Sequence, residues 1–278
     1  MGIIQTIKST IVKPTIKIGG WLPDPANKIY WKFDKSILSL IESKIQYKSG
    51  QNVDLRPYSS PRHNQGSTSS CVGNGLIKAL EIKRIIQHGH SAHVDLSRSF
   101  LYYYARARKN PPMTNEDSGC YIYIACDVMR NIGVCSESLH PFSTKTINKC
   151  PSQMAARECR LNRIKSHFKI KSQGNERLDD IIFNLQAGNP VVFGTTVGQD
   201  WIDYKGGTLG VETRPIGGHA LTVVGHINGL FIIENSWGGG SSWGEDGFAY
   251  VKPEVLTHPS TRDLWVIVDG SEAWTEKK

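Results

Sequence analysis

QGSTSSC, the stretch at residues 65–71, places a cysteine six residues after a glutamine and directly before a helical pattern. Apolar residues recur from Cys71 at helical spacing until Gly89, which predicts a buried helix that begins near the cysteine. The unpaired N–H groups and the positive dipole end of a helix lower the pKa of a thiol, so this position favours a nucleophilic thiolate. The side-chain amide of Gln65 is suited to bind the oxygen of a tetrahedral intermediate.

The composition is that of an ordinary globular protein. Of the 278 residues, 39% are hydrophobic and 21% are charged, and the length allows one large domain or two lobes. The longest apolar runs are far below the roughly 18 residues that span a bilayer, and residues 1–14 lack the apolar core of a standard signal peptide. We therefore expect a soluble protein without a membrane span.

The net charge of +8 raises the question of a nucleic-acid partner. Eight lysines against three acidic residues place +5 of this charge in residues 1–50. These lysines are spread out, without interleaved aromatic residues or a recognised nucleic-acid motif. We therefore expect a solvated basic surface and no nucleic-acid partner.

The six cysteines include no CxxC pair and no short Cys–His ligand spacing, so the sequence predicts neither a metal site nor a cofactor. His88, His90 and His93 form a compact cluster in a predicted loop, which we interpret as solvated rather than metal-binding. The five cysteines other than Cys71 cannot all pair within the chain. At least one thiol stays free, which mildly favours a reducing, cytoplasmic compartment.

The predicted elements change from helices to strands along the chain. After an extended leader at residues 1–50, periodicity predicts helices at 71–88, 100–108 and 121–131. Strands separated by glycine-rich turns are predicted at residues 190–194, 220–224, 230–233, 247–251 and 264–268. This order predicts an α+β domain at residues 51–278, with a helical lobe at about 65–150, a β-rich lobe at about 151–270 and a cleft between them.

The strand-rich half supplies a base and a group that can orient it. His219 follows Gly218 at the start of one predicted strand, and Asn235 ends the next. Pairing of these strands would set the Asn235 carbonyl beside the imidazole, where Trp237 would shield the hydrogen bond from water. Each residue also has an ordinary explanation, as a core histidine, a turn former and a packing residue.

Three motifs occur in one order: QGSxxSC at Cys71, GHA with an apolar strand at His219, and ENSWG followed by WGxxG at Asn235. With 148 residues between Cys71 and His219, the chain resembles the papain-like cysteine peptidases (clan CA, peptidase C1 family) over about residues 50–270. The segments LSxxFLYY, DxG and GVCxE resemble its bacterial or microbial branch. The resemblance implies an α+β, papain-like two-lobe fold, with a helical left lobe, a β-barrel-like right lobe and the active site in the cleft between them.

The resemblance also implies catalytic roles for four residues. Cys71 is then the nucleophile, His219 is the general base and acid, and Asn235 orients the imidazole. Gln65 and the backbone N–H of Cys71 form the oxyanion hole.

Four further residues are candidates for substrate binding: Ser118, Gly119, Gly218 and Trp237. By resemblance, Ser118 and Gly119 border the non-primed side of the substrate cleft. Gly218 leaves room beside the base, and Trp237 is the tryptophan of the ENSWG motif, two residues after Asn235. We expect a peptide or protein as the substrate.

The chain departs from the family pattern in three places. Val72 replaces the bulky aromatic residue that commonly follows the nucleophile, and Thr68 stands where cathepsins usually carry a disulfide cysteine. Residues 1–50 lack the long charged helical pattern of a cathepsin propeptide, although they could still cover the cleft and inhibit the enzyme.

The expected function is that of a cysteine-type endopeptidase, which hydrolyses peptide bonds through a Cys71 thioacyl-enzyme. The sequence leaves two alternatives open. An amine or thiol acceptor in place of water would make the enzyme a transpeptidase or acyltransferase. The same scaffold can also serve as a non-catalytic binding protein.

Overall fold

The computed structural model describes residues 16–26, 28, 30, 32–34, 48, 51–109, 111–238 and 243–269. Seven α-helices lie in these ranges: α1 Cys71–His88, α2 Arg98–Ala107, α3 Ile122–Asn131, α4 Gln153–Glu158, α5 Gly174–Gln186, α6 Gln199–Ile202 and α7 Pro253–Thr257. None of the helices described is both long and apolar enough to cross a membrane.

The first three helices match those predicted from periodicity. α1 is buried from Cys71 to Ile85 and ends at Gly89, whose φ of 83° is a conformation that side chains disfavour. Ser97 precedes α2, and its hydroxyl oxygen accepts the N–H of Phe100 at 3.1 Å, as expected of a helix N-cap. The end of α1 and the start of α2 are thus determined by local chemistry, a glycine in one case and a capping hydroxyl in the other.

In the described part of the chain, eight strands form one sheet: β1 Val53–Asp54, β2 Ser166–Ile170, β3 Val191–Val197, β4 Thr208–Leu209, β5 Gly217–Ile227, β6 Leu230–Glu234, β7 Phe248–Val251 and β8 Arg262–Val268. The order is β2-β8-β3-β5-β6-β7-β4, and β1 pairs with β5 outside this path. All pairs are antiparallel except β4 with β7. Each predicted strand overlaps one of these strands.

Two clusters of buried apolar side chains form the core. One is centred on the sheet and includes Phe193 and Ile232, and the other is centred on α1, α2 and α3 and includes Leu76 and Phe100. The helices of the first half bury their apolar faces in one core and the strands of the second half bury theirs in the other, which gives two lobes. The predicted α+β class with a papain-like two-lobe arrangement is confirmed.

A close approach of α1 to the sheet positions the cysteine. The hydroxyl of Thr222 on β5 donates to the carbonyl oxygen of Gly75 at 3.0 Å. A Cβ on Gly75 would lie 3.3 Å from that hydroxyl and 3.5 Å from a methyl of Val192, so a larger residue would push the helix outward. The second turn of α1 therefore lies against the middle of β5.

Residues 16–26, part of the predicted leader, run between the lobes. On the sheet side, the N–H of Gly19 donates to the carbonyl of Gly218 at 2.9 Å. On the helical side, Cys120 donates its N–H to Gly20 at 3.0 Å and accepts the N–H of Leu22 at 3.1 Å. The leader thus crosses the cleft as an extended chain held by backbone hydrogen bonds to both walls.

Candidate active site

Cys71 is the first residue of α1 and is fully buried. Its sulfur receives hydrogen bonds from the backbone at Ala220, Val72 and Cys71 itself, which places the thiol beside β5. Burial raises the pKa of this thiol to about 12, more than these hydrogen bonds lower it. This direction is opposite to the one expected from the helix start, because the surrounding chain excludes the water that would solvate a thiolate.

The structure brings His219 on β5 together with Asn235 at the end of β6. The imidazole Nε2 lies 2.8 Å from the Asn235 Oδ1. The N–H of Ser236 donates to the same oxygen at 2.8 Å, so the oxygen faces the ring and Nε2 carries the hydrogen. In the neutral ring Nδ1 is then the basic atom, and it is buried without a hydrogen-bond partner among the described residues.

The environment of His219 favours the neutral imidazole. Burial lowers the pKa of His219 to about 4, against the opposing effect of the Asn235 hydrogen bond. Trp237 stacks on the ring with centroids 4.5 Å apart and an interplanar angle of 23°. Only 3% of Trp237 is exposed, so its indole covers one face of the imidazole and the asparagine hydrogen bond.

Gln65 is fully buried and is held by the residue that follows the asparagine. Its Oε1 accepts the hydroxyl of Ser236 at 2.6 Å, and its Nε2 donates to the carbonyl of Thr68 at 2.7 Å. The same Nε2 lies 3.4 Å from the carbonyl oxygen of Lys17 in the leader. The amide expected to bind an oxyanion therefore already faces a leader carbonyl.

Two of the substrate-binding candidates contact the leader. Gly218 accepts the hydrogen bond from Gly19, and a Cβ on Gly119 would lie 2.5 Å from the carbonyl oxygen of Gly20. Gly119 also has a φ of 71°, so both its conformation and its neighbour require glycine. The hydroxyl of Ser118 instead donates to the carbonyl of Gly119 at 3.3 Å and accepts a hydrogen bond from Lys109 at 3.5 Å.

Asp117 and Cys120 are cleft residues that sequence reasoning missed. Cys120 contributes only its backbone, which the side-chain motifs do not report. The Asp117 carboxylate lies 2.7 Å from the Lys17 ammonium and accepts the N–H of Ser69 at 2.9 Å. The DxG motif drew attention to residues 117–119, but the ion pair of Asp117 with Lys17 depends on the path of the leader, which the sequence does not show.

Gly20 lies against the proposed nucleophile. An added Cβ would lie 2.7 Å from the Cys71 Sγ and would overlap the carbonyl oxygen of Ser69. No side chain fits in this space, so only glycine can pass the sulfur at this point. The leader therefore occupies the space that a substrate carbonyl needs for attack by the thiol.

A buried ion pair lies behind the candidate catalytic residues. The ammonium of Lys78 on α1 is 3.2 Å from the carboxylate of Glu234, which directly precedes Asn235. Lys78 also donates to the carbonyl of Ser60 at 2.8 Å. Burial raises the pKa of Glu234, while Lys78 acts in the opposite direction. The pair thus joins α1, which begins at Cys71, to β6, which ends directly before Asn235.

A second buried carboxylate, Glu81, lies near two histidines. Its oxygen is 3.3 Å from the Nε2 of His63 and 3.8 Å from that of His93, so the prediction that His93 is only solvated is wrong. Burial alone would raise the pKa of Glu81, but these histidines hold it well below its usual value. His63, Glu81 and Asp95 offer potential ligand atoms within 4.8 Å of one another, yet the hydroxyl of Ser60 already donates to the Glu81 carboxylate. We interpret this cluster as a structural hydrogen-bond network.

Comparison of the sequence with known proteins identifies the family. The sequence profile of the papain family cysteine proteases matches residues 49–259. A peptidase C1-like protein of Acanthamoeba polyphaga mimivirus is 28% identical over 226 residues, which cover 75% of this chain and 70% of that protein. Pro-cathepsin H of Mus musculus is 30% identical over 69% of this chain, and papaya proteinase 4 of Carica papaya is 31% identical over 73%. The matched regions span 56% and 55% of these last two relatives.

Solved structures give the same result. Xylellain, a cysteine protease from Xylella fastidiosa, superposes with a TM-score of 0.73 at 25% identity, covering 93% of this chain and 98% of that one. Digestive procathepsin L2 from the larval midgut of Tenebrio molitor superposes with a TM-score of 0.70 at 20% identity, covering 91% and 78%. The chain therefore belongs to the papain family of cysteine proteases and is a thiol protease, a hydrolase of peptide bonds.

Proposed function

We propose that the full chain is the latent form of a cysteine endopeptidase, in which residues 1–50 form an inhibitory leader and residues 51–278 form the peptidase domain. The observation that carries this proposal is the position of Gly20 against the Cys71 sulfur. Its neighbours Gly19 and Leu22 are hydrogen-bonded to opposite walls of the cleft. A substrate cannot reach the sulfur until this segment moves.

The first half of the proposed reaction forms an acyl-enzyme. With the leader displaced, Nδ1 of His219 takes the proton from Cys71, and the sulfur attacks the carbonyl carbon of the peptide. The Gln65 amide and the N–H of Cys71 stabilise the oxyanion. The C–N bond then breaks, and His219 returns its proton to the leaving amine, so a thioester remains on Cys71.

The second half releases the acid product. Nδ1 of His219 takes a proton from water as the water oxygen attacks the thioester carbonyl, and the C–S bond breaks. His219 then returns the proton to the sulfur. Asn235 keeps the ring oriented through both steps, because its oxygen binds only the Nε2–H and leaves Nδ1 directed to the reaction.

The leader also suppresses the charged form of the catalytic pair. Burial raises the pKa of Cys71 and lowers that of His219, so the covered pair consists of a neutral thiol and a neutral imidazole. Displacement would readmit water and allow the thiolate and imidazolium to form. The leader thus blocks access, faces the oxyanion donor with the carbonyl of Lys17, and lowers the nucleophilicity of the thiol.

The experiment compares the full chain with a chain that begins at residue 51, using a peptide library and mass spectrometry of the products. We expect the shorter chain to cleave faster, Cys71→Ala to abolish cleavage, and Cys150→Ala, which removes an exposed thiol, to have no effect. Retained cleavage in Cys71→Ala would contradict the mechanism. Added amines distinguish hydrolysis from acyl transfer, because transfer attaches the amine to the new carboxyl end.

A further inference from the structure

The side chain of Trp21, the leader residue directly after Gly20, fills a pocket beside the nucleophile. Gly20 lies against Cys71, and only 5% of Trp21 is exposed. The leader is therefore anchored in the cleft by a buried indole as well as by backbone hydrogen bonds. A substrate that replaces the leader would expose the same pocket to its own side chains.

Two glycines form the walls of this pocket. A Cβ on Gly194 of β3 would overlap the indole ring, and a Cβ on Gly218 of β5 would lie 2.9 Å from it. Any other residue at these positions would narrow the space, since packed interiors tolerate little extra volume. The absence of both side chains makes room for a ring as large as indole.

The end of the pocket carries one hydrogen-bond acceptor. The indole Nε1–H of Trp21 donates to Oδ2 of Asp263 at 3.1 Å, and the N–H of Asp24 donates to the same oxygen at 2.8 Å. Asp263 is only 5% exposed. Displacement of the leader removes both donors and leaves this oxygen to water, which a bound substrate side chain would in turn exclude. A substrate side chain with an N–H at its end would restore one of these hydrogen bonds.

The charge at the end of the pocket is already balanced. The other oxygen of Asp263, Oδ1, lies 2.6 Å from the ammonium of Lys169. Lys169 also pairs with Asp24 at 2.8 Å, and that partner leaves with the leader. The remaining Asp263–Lys169 pair has no net charge, so the pocket favours a neutral donor over a cation such as arginine.

We propose that Asp263 makes this pocket a specificity site for tryptophan. The tryptophan of the substrate would be the residue next to the one whose carbonyl is attacked. This inference rests on the proposed endopeptidase function and adds the side chain that the enzyme selects. Phenylalanine would fill the space without the hydrogen bond, and leucine would fill less of it.

The test uses full-length protein with Trp21→Ala, which empties the pocket and weakens the leader. Peptides carry tryptophan, phenylalanine, leucine or arginine at each position that flanks the residue with the scissile carbonyl. We expect kcat/KM to be highest for tryptophan, by about tenfold over phenylalanine at one of these positions. Asp263→Asn keeps the size of the side chain and suits the φ of 55° at this residue, and should reduce that ratio to near one.

Asp246→Asn is the matched control, because Asp246 also has a positive φ, of 59°, but is exposed and pairs with Arg62. It should leave the tryptophan-to-phenylalanine ratio unchanged. Cys71-dependent cleavage without a tryptophan preference, or a preference that survives Asp263→Asn, would overturn this inference and leave the endopeptidase proposal standing. Failure of both the Trp21→Ala protein and the chain that begins at residue 51 to cleave any peptide, with no labelling of Cys71 by a thiol-directed epoxide inhibitor, would overturn both.

Discussion

His219 donates its Nε2–H to the carbonyl oxygen of Asn235, and the backbone N–H of Ser236 holds that oxygen in place. The amide therefore selects one tautomer of the imidazole and leaves Nδ1 as the base. Because Asn235 is uncharged, it orients the ring without the strong stabilisation of an imidazolium that a carboxylate would give.

We expect Asn235→Ala to lower kcat by roughly 100-fold, because the imidazole loses the contact that fixes its orientation and tautomer. KM should change much less, since Asn235 is not expected to touch the substrate. Steady-state kinetics on the leader-free enzyme check this prediction, with thermal unfolding as the test for a folded protein. An unchanged kcat in a folded variant would show that Trp237 alone orients the ring.

Gly20→Ala should activate the full chain. The new methyl group would collide with the Cys71 Sγ and the backbone of Ser69, so the leader cannot keep its position against the sulfur. Peptidase activity of the full-length variant should approach that of the chain lacking residues 1–50. Gly210→Ala is the control, because a Cβ there meets open space. An inactive Gly20→Ala protein would indicate that other leader contacts maintain inhibition.

The sequence predicted which residues form the candidate catalytic centre, but not the protonation state and burial in which the structure holds them. Cys71, His219 and Asn235 each stand at the start or end of a predicted element, where local pattern is informative. The direction of the Cys71 pKa shift was predicted wrongly, because the helix start is a local feature whereas burial depends on the leader. Local sequence cannot report which segment will cover a residue 50 positions away.

The pocket of Trp21 could not be predicted for a related reason. Gly194, Gly218 and Asp263 come from three strands, and their proximity depends on the β5-β3-β8 order in the sheet. None of the three is surrounded by a sequence motif that would predict a pocket. Strand order arises from long-range pairing, so a site assembled across it leaves no local motif.

Cys150 should be alkylated faster than Cys71 while the leader covers the cleft, and Cys71 should be the faster of the two once the leader is displaced. In the full chain Cys71 is buried with a raised pKa, whereas Cys150 is exposed. Iodoacetamide at pH 7.5 should therefore alkylate Cys150 faster, as measured by mass spectrometry of peptides. In Gly20→Ala, Cys71 should become the faster of the two. Rapid alkylation of Cys71 in the unmodified full chain would contradict a neutral, covered thiol.

Asp24 should make inhibition by the leader stronger at acidic pH. Burial, with a further effect from the Asp263 charge, raises the pKa of Asp24 from 3.8 to about 7 in the docked leader. Docking therefore takes up a proton between these values, so it strengthens as the pH falls from about 7 towards 4, and this contribution is lost above about 7. The measurement is the activity of the full chain divided by that of Gly20→Ala at each pH.

This activity ratio should fall as the pH is lowered from 7.5 to 5. Asp24→Asn resembles the protonated carboxyl and should make the ratio nearly independent of pH. The common reference enzyme removes the intrinsic pH dependence of catalysis from the comparison. A ratio that rises on acidification would mean that another group controls release of the leader.

Lys78→Met should destabilise the protein by about 3–5 kcal/mol at pH 7, because it leaves the Glu234 carboxylate buried without its cation. Glu234 already has a raised pKa, and loss of Lys78 should raise it further, so the variant should recover part of its stability at pH 5 by binding a proton. The double variant Lys78→Met with Glu234→Gln should be more stable than Lys78→Met, since no unpaired charge remains. Chemical denaturation at both pH values measures these differences, and a pH-independent loss would assign the effect to packing rather than to the buried charge.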